Sequence, residues 1–267
     1  MINGYYVIDA HCHIYPEKIA AKAAGATDKF YGVEGYGKGT VSDLKKICKR
    51  DGVDHAIVQS VATTPKQVKS INEFIADEVK KSKGFLTGLG TLHPDSEDLS
   101  GDIEHIIDLG LKGVKLHPDI QNFKVDGDKI FQMYEICEKK QLKMLVHTGD
   151  CRYDNSNPDR VLNVLKSFPR LTFIGAHYGG WSVWEEAVRK LSDFPQFFVD
   201  CSSSFCFSEK SDFREMTLKY GAQKVLFGTD YPMWRAKTEL ERFFALGLSE
   251  TENRMILSEN AKKIFNI

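Results

Sequence analysis

Short apolar runs recur along the chain, beginning near Tyr6, His55, Phe85, Gly113, Lys143, Thr172, Phe197 and Val225. From the second onward they are 25–30 residues apart, the length of a strand, a helix and their loops. Between them lie stretches with the helical period. Val41 to Arg50 puts Val41, Leu44, Ile47 and Cys48 on one face. Lys66 to Lys80 does the same with Val68, Ile71, Phe74, Ile75 and Val79, and Asp102–Leu109 and Lys129–Lys139 follow suit. Ser249 to Phe265 predicts a closing pair of short helices. Eight strands alternating with helices predict an α/β fold, a single closed parallel (β/α)8 TIM-like barrel over residues 1–267. An open doubly wound sheet would need a Gly-rich phosphate loop after the first strand. Asp9-Ala10-His11-Cys12-His13 occupies that place. The Gly-rich stretch Tyr31–Gly39 comes later. It reads as a mobile loop between the first strand and the first helix, either a lid or a plain connection.

Composition narrows the function classes. A net charge of -1 gives no bulk electrostatic case for nucleic acid or an anionic membrane. No apolar run approaches the length of a membrane span, and no basic segment followed by an apolar stretch marks a signal peptide. Six cysteines without a C-x-x-C pair read as reduced thiols of a cytoplasmic protein. The expected partner is a small-molecule substrate, and a homodimer is the default assembly.

The chemistry gathers at strand ends. Six of the eight histidines, His11, His13, His93, His117, His147 and His177, close apolar runs, and a barrel of this kind carries its active site at the C-terminal ends of its strands. Strand alternation puts His11 and His13 on one side, with Asp9, and Cys12 on the other, where it packs. His11, His13, His147 and Asp230 supply three imidazoles and a carboxylate, a set that suits Zn²⁺ and also Mn²⁺ or Fe²⁺. His177, with an ordinary pKa near ~6.5, and Asp230 are the candidate acid-base groups. Lys115 and His117, two apart, both face the axis. Arg152 and Arg235 follow the fifth and eighth strands and are candidates to hold a substrate carboxylate. Trp181 walls the pocket, whereas Trp184 belongs to the core. His55 and His105 are structural.

These motifs together resemble the amidohydrolase superfamily. The matching segments are Asp9-Ala10-His11-Cys12-His13, Gly113-Val114-Lys115-Leu116-His117-Pro118, His147-Thr148-Gly149, Gly175-Ala176-His177-Tyr178-Gly179-Gly180 and Gly228-Thr229-Asp230-Tyr231-Pro232. The chain looks most like the amidohydrolase-2 branch of metal-dependent TIM-barrel hydrolases, which also contains aminocarboxymuconate semialdehyde decarboxylase. The resemblance implies one divalent metal on His11, His13, His147 and Asp230, with His177 as proton shuttle. It implies hydrolysis of a small amide, ester or lactone, or else non-oxidative decarboxylation of a small carboxylic acid. In binuclear relatives a carboxylated lysine bridges two metals. Lys115 stands at that place, and the reading preferred for it is a charged lysine or a substrate contact.

Overall fold

In the computed structural model, which describes every residue except Met1, Ser208 and Lys210, the apolar runs form strands where the spacing predicts them. They are β1 (Ile8–His13), β2 (His55–Gln59), β3 (Leu86–Gly88), β4 (Gly90–Thr91), β5 (Gly113–Leu116), β6 (Lys143–Val146), β7 (Phe173–Gly175), β8 (Phe197–Asp200) and β9 (Val225–Leu226). Neighbours in this order pair in parallel, within one run from β1 to β3 and another from β4 to β9. β3 and β4 are two halves of one strand. Between them the Leu89 N–H donates to the Val58 carbonyl at 2.9 Å, and the Lys112 N–H donates to Gly88 at 2.9 Å. The ring closes where the Ala10 N–H donates to Phe227 (2.8 Å) and the His13 N–H to Tyr231 (2.6 Å). The result is an eight-position barrel.

Side-chain alternation divides the apolar residues into two layers. Ile8, Ala10, Ile57, Leu89, Leu145, Ile174, Ala176 and Leu226 fill the barrel interior. Val7, Cys12, Val58, Val114, Val146, Phe173 and Val199 face outward into the layer shared with the helices, and Trp184 joins them. The helices are α1 (Ala20–Tyr31), α2 (Val41–Asp51), α3 (Val68–Lys81), α4 (Leu99–Asp108), α5 (Pro118–Gln121), α6 (Asp128–Lys139), α7 (Pro158–Ser167), α8 (Trp184–Leu191), α9 (Phe213–Tyr220), α10 (Ala236–Phe244), α11 (Glu250–Arg254) and α12 (Asn260–Phe265). The predicted closing pair, α11 and α12, is joined without a break by a π turn, Met255–Glu259. Ala261, Ile264 and Phe265 of α12 plug the floor of the barrel, so only the opposite mouth is left for chemistry. Among the described residues no helix is long and apolar enough to cross a membrane, and all six cysteines are free thiols.

β1 departs from simple alternation. Asp9 pairs in register with Ala56, yet Cys12 pairs with Val58, so β1 spends three steps where β2 spends two. This extra residue is a β-bulge. It turns His11 and His13 into the barrel but sends Asp9 outward, so the expected placement of Asp9 beside the histidines does not hold. The Asp9 carboxylate accepts from the Thr229 hydroxyl (2.6 Å), the Thr229 N–H (3.0 Å) and the His11 N–H (3.1 Å). It ties the first strand to the last segment of the ring.

The first helix also differs from the expectation. The chain between β1 and α2 is not a plain mobile loop, because it contains α1, an alanine-rich helix without a sharp apolar stripe. Gly32 ends α1 in the left-handed conformation (φ 68°). The following Gly-rich segment is fastened to the opposite rim, with the Tyr36 and Gly37 N–H groups donating to Met233 (3.1 Å) and Pro232 (2.8 Å). At Gly37 a Cβ would lie 2.4 Å from the Tyr231 ring, so only glycine permits this approach. Arg152 holds the end of α1. It forks onto Asp150 (Nε–Oδ1 2.9 Å, Nη2–Oδ2 2.7 Å) and donates to the Phe30 carbonyl at 3.0 Å. Its guanidinium lies 5.1–5.6 Å from the ring centres of Phe30, Tyr31, Tyr153 and Trp181. Arg235 is likewise committed, with Nε and Nη2 each 3.1 Å from the Asp51 carboxylate, which Arg50 shares.

Two outcomes follow from these ties. Asp9→Ala removes three hydrogen bonds from a buried carboxyl and lowers unfolding stability by about 2–3 kcal/mol in a denaturant titration. A change below about 0.5 kcal/mol, the ordinary surface range, would mean that the barrel seam does not depend on Asp9. Arg152→Lys keeps the charge but loses the fork and the stacking. Hydrogen exchange in residues 20–31 should then rise by about tenfold while the strands stay protected; unchanged exchange there would exclude Arg152 as the fastening of α1.

Candidate metal centre and active site

The bulge sets His11 and His13 side by side, and β5, β6, β7 and β9, or the residues just after them, supply the other side chains. Lys115 lies inside β5, between outward Val114 and Leu116. His117 caps α5, its Nδ1 accepting from the Ile120 N–H at 3.4 Å. His147 follows β6. His177 and Asp230 sit at φ 60° and 58°, left-handed conformations that are uncommon outside glycine and typical of functional sites. These turns aim both side chains back over the mouth rather than along their strands.

His11, His13 and Asp230 converge. Nε2 of His11 is 3.2 Å from Nε2 of His13 and 3.2 Å from Oδ1 of Asp230, and His13 Nε2 is 3.5 Å from the same oxygen. Donors bound to one tetrahedral or octahedral ion at ordinary bond lengths lie roughly 2.8–3.6 Å apart. The triangle therefore fits one face of a divalent metal's coordination shell. The protonation pattern agrees with this. His11 Nδ1 donates to Oδ2 of Asp200 at 2.9 Å, which leaves its Nε2 lone pair facing the triangle, the arrangement that outer carboxylates impose on metal-binding histidines. His13 Nδ1 is buried and has no partner among the described residues.

The surroundings favour a cation. Burial opposes ionisation of Asp230, but the imidazoles of His11, His177 and His13 and the Ser203 hydroxyl hold its carboxyl below the usual range. Asp200, also buried, is held low by His11 and His177. Burial, then the charges of neighbouring His11, Lys115 and His177, pushes His13 well below the usual imidazole value against the pull of Asp230. Lys115, buried with its Nζ 3.1 Å from His11 Nε2, is lowered by burial to about 8, against the pull of Asp230 and Asp200. Two carboxylates, Asp230 and Asp200, thus face the Lys115 amine across the imidazole cluster. Ser203 donates to Asp230 Oδ2 at 2.6 Å and accepts from the Trp234 indole at 2.8 Å.

His147 lies one imidazole further away. Its Nδ1 is 3.1 Å from His177 Nε2, and its Nε2 is 3.6 Å from Asp119 Oδ2. His147, His117 and Asp119 form a second His/Asp group. The rings of His117 and His147 stack at 4.0 Å and 7°, so their in-plane lone pairs run parallel and do not converge on one ion. His177 donates from Nδ1 to the Ser202 carbonyl at 3.0 Å, which leaves Nε2 as its lone-pair nitrogen. Burial is the first cause that lowers His177, to about 4. The Tyr31 hydroxyl reaches His117 Nε2 at 2.7 Å, and its ring lies 5.3 Å from Trp181, so α1 roofs the mouth.

Sequence-predicted residues therefore divide. His11, His13, Lys115, His147, His177 and Asp230 share one buried cluster, with His117 and Trp181 at its rim. His93 instead accepts the Asp95 N–H at 3.2 Å in a turn. Ser202 and Ser203, which the sequence suggests only as residues shaping the pocket after the seventh strand, contact His177 and Asp230, and Asp200, Asp119 and Tyr31 join them. Asp200 ends its apolar run as the histidines end theirs, so the strand-end rule finds it. Tyr31 carries no such signal.

Comparisons with known proteins agree with this architecture. The family described as amidohydrolase matches residues 8–267. No curated protein matches the chain. Among solved structures, an uncharacterised TIM-barrel protein from Bordetella bronchiseptica superposes with a TM-score of 0.80 at 20% identity, covering 98% of each chain. A dihydroxybenzoic acid decarboxylase from Polaromonas sp., with bound manganese and an inhibitor, gives 0.74 at 15% identity, covering 98% of this chain and 97% of that one. A putative 2-pyrone-4,6-dicarboxylic acid hydrolase from Pseudomonas putida gives 0.68 at 18%, covering 98% and 97%. At these identities the likeness is one of fold; with the family match over nearly the whole length, it shows that this chain belongs to the amidohydrolase family and has its TIM-barrel fold.

Proposed function

We propose that the chain is a metal-dependent hydrolase of a small uncharged amide, ester or lactone. The observation that carries this reading is the placement of Asp230, with Oδ1 on the two histidines and Oδ2 held by Ser203. One carboxylate is thereby offered both to a metal and to the proton of a water. His11, His13 and Asp230 would hold the ion, three protein ligands being the usual complement of a catalytic site. His147, expected as a fourth ligand, is instead engaged with His177 and is assigned here to orient it. Zn²⁺ is the proposed metal; Mn²⁺ suits the same donors and is the ion in the Polaromonas decarboxylase structure. When bound, the ion supplies Lewis-acid polarisation of a substrate carbonyl and of the attacking water.

The chain's own residues supply the rest. Asp230, ionised at neutral pH, takes the water proton. His177, neutral and held on Nδ1 by the Ser202 carbonyl, shares its Nε2 with His147 Nδ1 at 3.1 Å, so delivery of that proton to the leaving nitrogen or oxygen runs through this imidazole pair. Tyr31 and Trp181 exclude bulk water from this exchange. An uncharged substrate is favoured because Arg152 and Arg235 are already neutralised by Asp150 and Asp51, which leaves neither as a free carboxylate clamp. Decarboxylation is the second reading, favoured by the decarboxylase of the same fold and by Lys115 beside the metal triangle.

The product separates the two. In ¹⁸O-labelled water, a hydrolase places label in the carboxylic acid that it forms from an amide, ester or lactone. Release of carbon dioxide from 2,6-dihydroxybenzoate without label in any product would overturn the proposal. Asp230→Asn lowers kcat by about 10²–10⁴-fold, the usual range for loss of a positioned base, with an unchanged circular dichroism spectrum. Retention of more than a tenth of the activity would remove Asp230 from the chemistry.

A further inference from the structure

Gln59 closes β2 directly beside His13, its register partner on β1. Ile57, two residues earlier, belongs to the barrel interior and Val58 to the outer layer, so alternation turns the Gln59 side chain inward at the level of the metal triangle. The residue is fully buried. Neither Oε1 nor Nε2 has a hydrogen-bond partner among the described residues, and the neighbouring His13 Nδ1 is unpartnered as well. Buried side-chain polar atoms are satisfied in the large majority of cases, and an exception calls for a reason. The same rim shows how this fold treats a glutamine that has only to brace loops. Gln121 donates from Nε2 to the carbonyls of Ala62 (2.9 Å) and Leu92 (2.8 Å) and accepts the His117 N–H (2.8 Å) on Oε1. Gln59 has the same groups and the same burial but no such work.

Resting on the hydrolase reading above, we infer that Gln59 is the substrate-positioning residue of the site and that it selects an amide over the corresponding ester or lactone. A carboxamide presents one acceptor and one donor along a single edge. Its complement is a group with an N–H and a C=O on one edge, as in a lactam, an imide or a primary amide. An ester or lactone brings no N–H and leaves Oε1 unpaired, and a carboxylate brings two acceptors against one donor. A site built to pair with an N–H discriminates strongly against the isostere that lacks it. Pairing there sets the amide beside His13, the register partner of Gln59.

The test uses the full chain reconstituted with one Zn²⁺ per chain, and two rings of equal size as probes, 2-piperidinone and δ-valerolactone. Ligand-observed NMR titration should show the lactam bound about tenfold or more tightly than the lactone. In Gln59→Leu and in the unbranched Gln59→Met, that preference should fall to within about twofold. Both variants should melt at or above the wild-type temperature, because an unpaired buried amide is replaced by an apolar group. A glutamine with a structural role gives the opposite pattern: a lower melting temperature with the ring preference intact, which would overturn the assignment. Equal binding of both rings by the wild type, or binding of neither, would overturn it too. If δ-valerolactone is nevertheless hydrolysed with incorporation of labelled oxygen, the hydrolase reading stands and only the role of Gln59 falls.

Discussion

Two imidazole nitrogens, a lysine amine and a carboxylate oxygen meet within 3.1–3.5 Å at the mouth of this barrel. Much of the upper rim is arranged around this cluster. The β1 bulge exists where His11 and His13 must both point inward. Asp9, turned outward at the bulge, holds β1 to the last segment of the ring through Thr229. Asp200 sets the tautomer of His11, and Ser203 with Trp234 fixes the far oxygen of Asp230. Asp9, His11 and Asp200 are buried and His13 and Asp230 largely so, and burying carboxylates and imidazoles is costly unless their charges and lone pairs are matched. A divalent cation held by the triangle, as proposed, would offset that cost.

The roof follows from the same constraint. Water at the mouth would weaken every interaction below it, and α1 supplies the cover. Its last residues, Phe30 and Tyr31, are fastened by Arg152, whose charge is cancelled by Asp150 and whose plane is spent on aromatic rings. In this fold a cation near the active site is thus used to hold the lid and not to hold an anion. The floor is closed independently by α12, so the interior layer of small and branched residues separates a structural end from a chemical end.

Much of this was legible in the sequence, for identifiable reasons. Strand positions follow from the 25–30-residue spacing of apolar runs, because each strand buried on both faces must be apolar throughout. The strand-end histidines follow because polar residues in such runs are tolerated only at the mouth. The bulge was not legible, since alternation assigns Asp9 to the side of His11 and only pairing with β2 reveals the extra residue. α1 gives no clear apolar stripe because alanines make up its face, so Tyr31 is legible only as the start of the Gly-rich stretch. Arg152 and Arg235 looked free because their partners, Asp150 and Asp51, are recognised only once the loops are folded. Gln59 gave no signal: it is one polar residue after His55-Ala56-Ile57-Val58, and its meaning lies in the absence of partners for a buried amide.

The central claim is that His11, His13 and Asp230 form a single divalent metal site. Elemental analysis of the chain after chelation, reconstitution with Zn²⁺ and removal of excess ion tests it most directly, run in parallel on the wild type and on His13→Ala. The account predicts about one ion per chain in the wild type and at least a tenfold weaker hold on it in the variant. A wild-type chain that retains no ion, or a His13→Ala chain that retains it equally well, would contradict it.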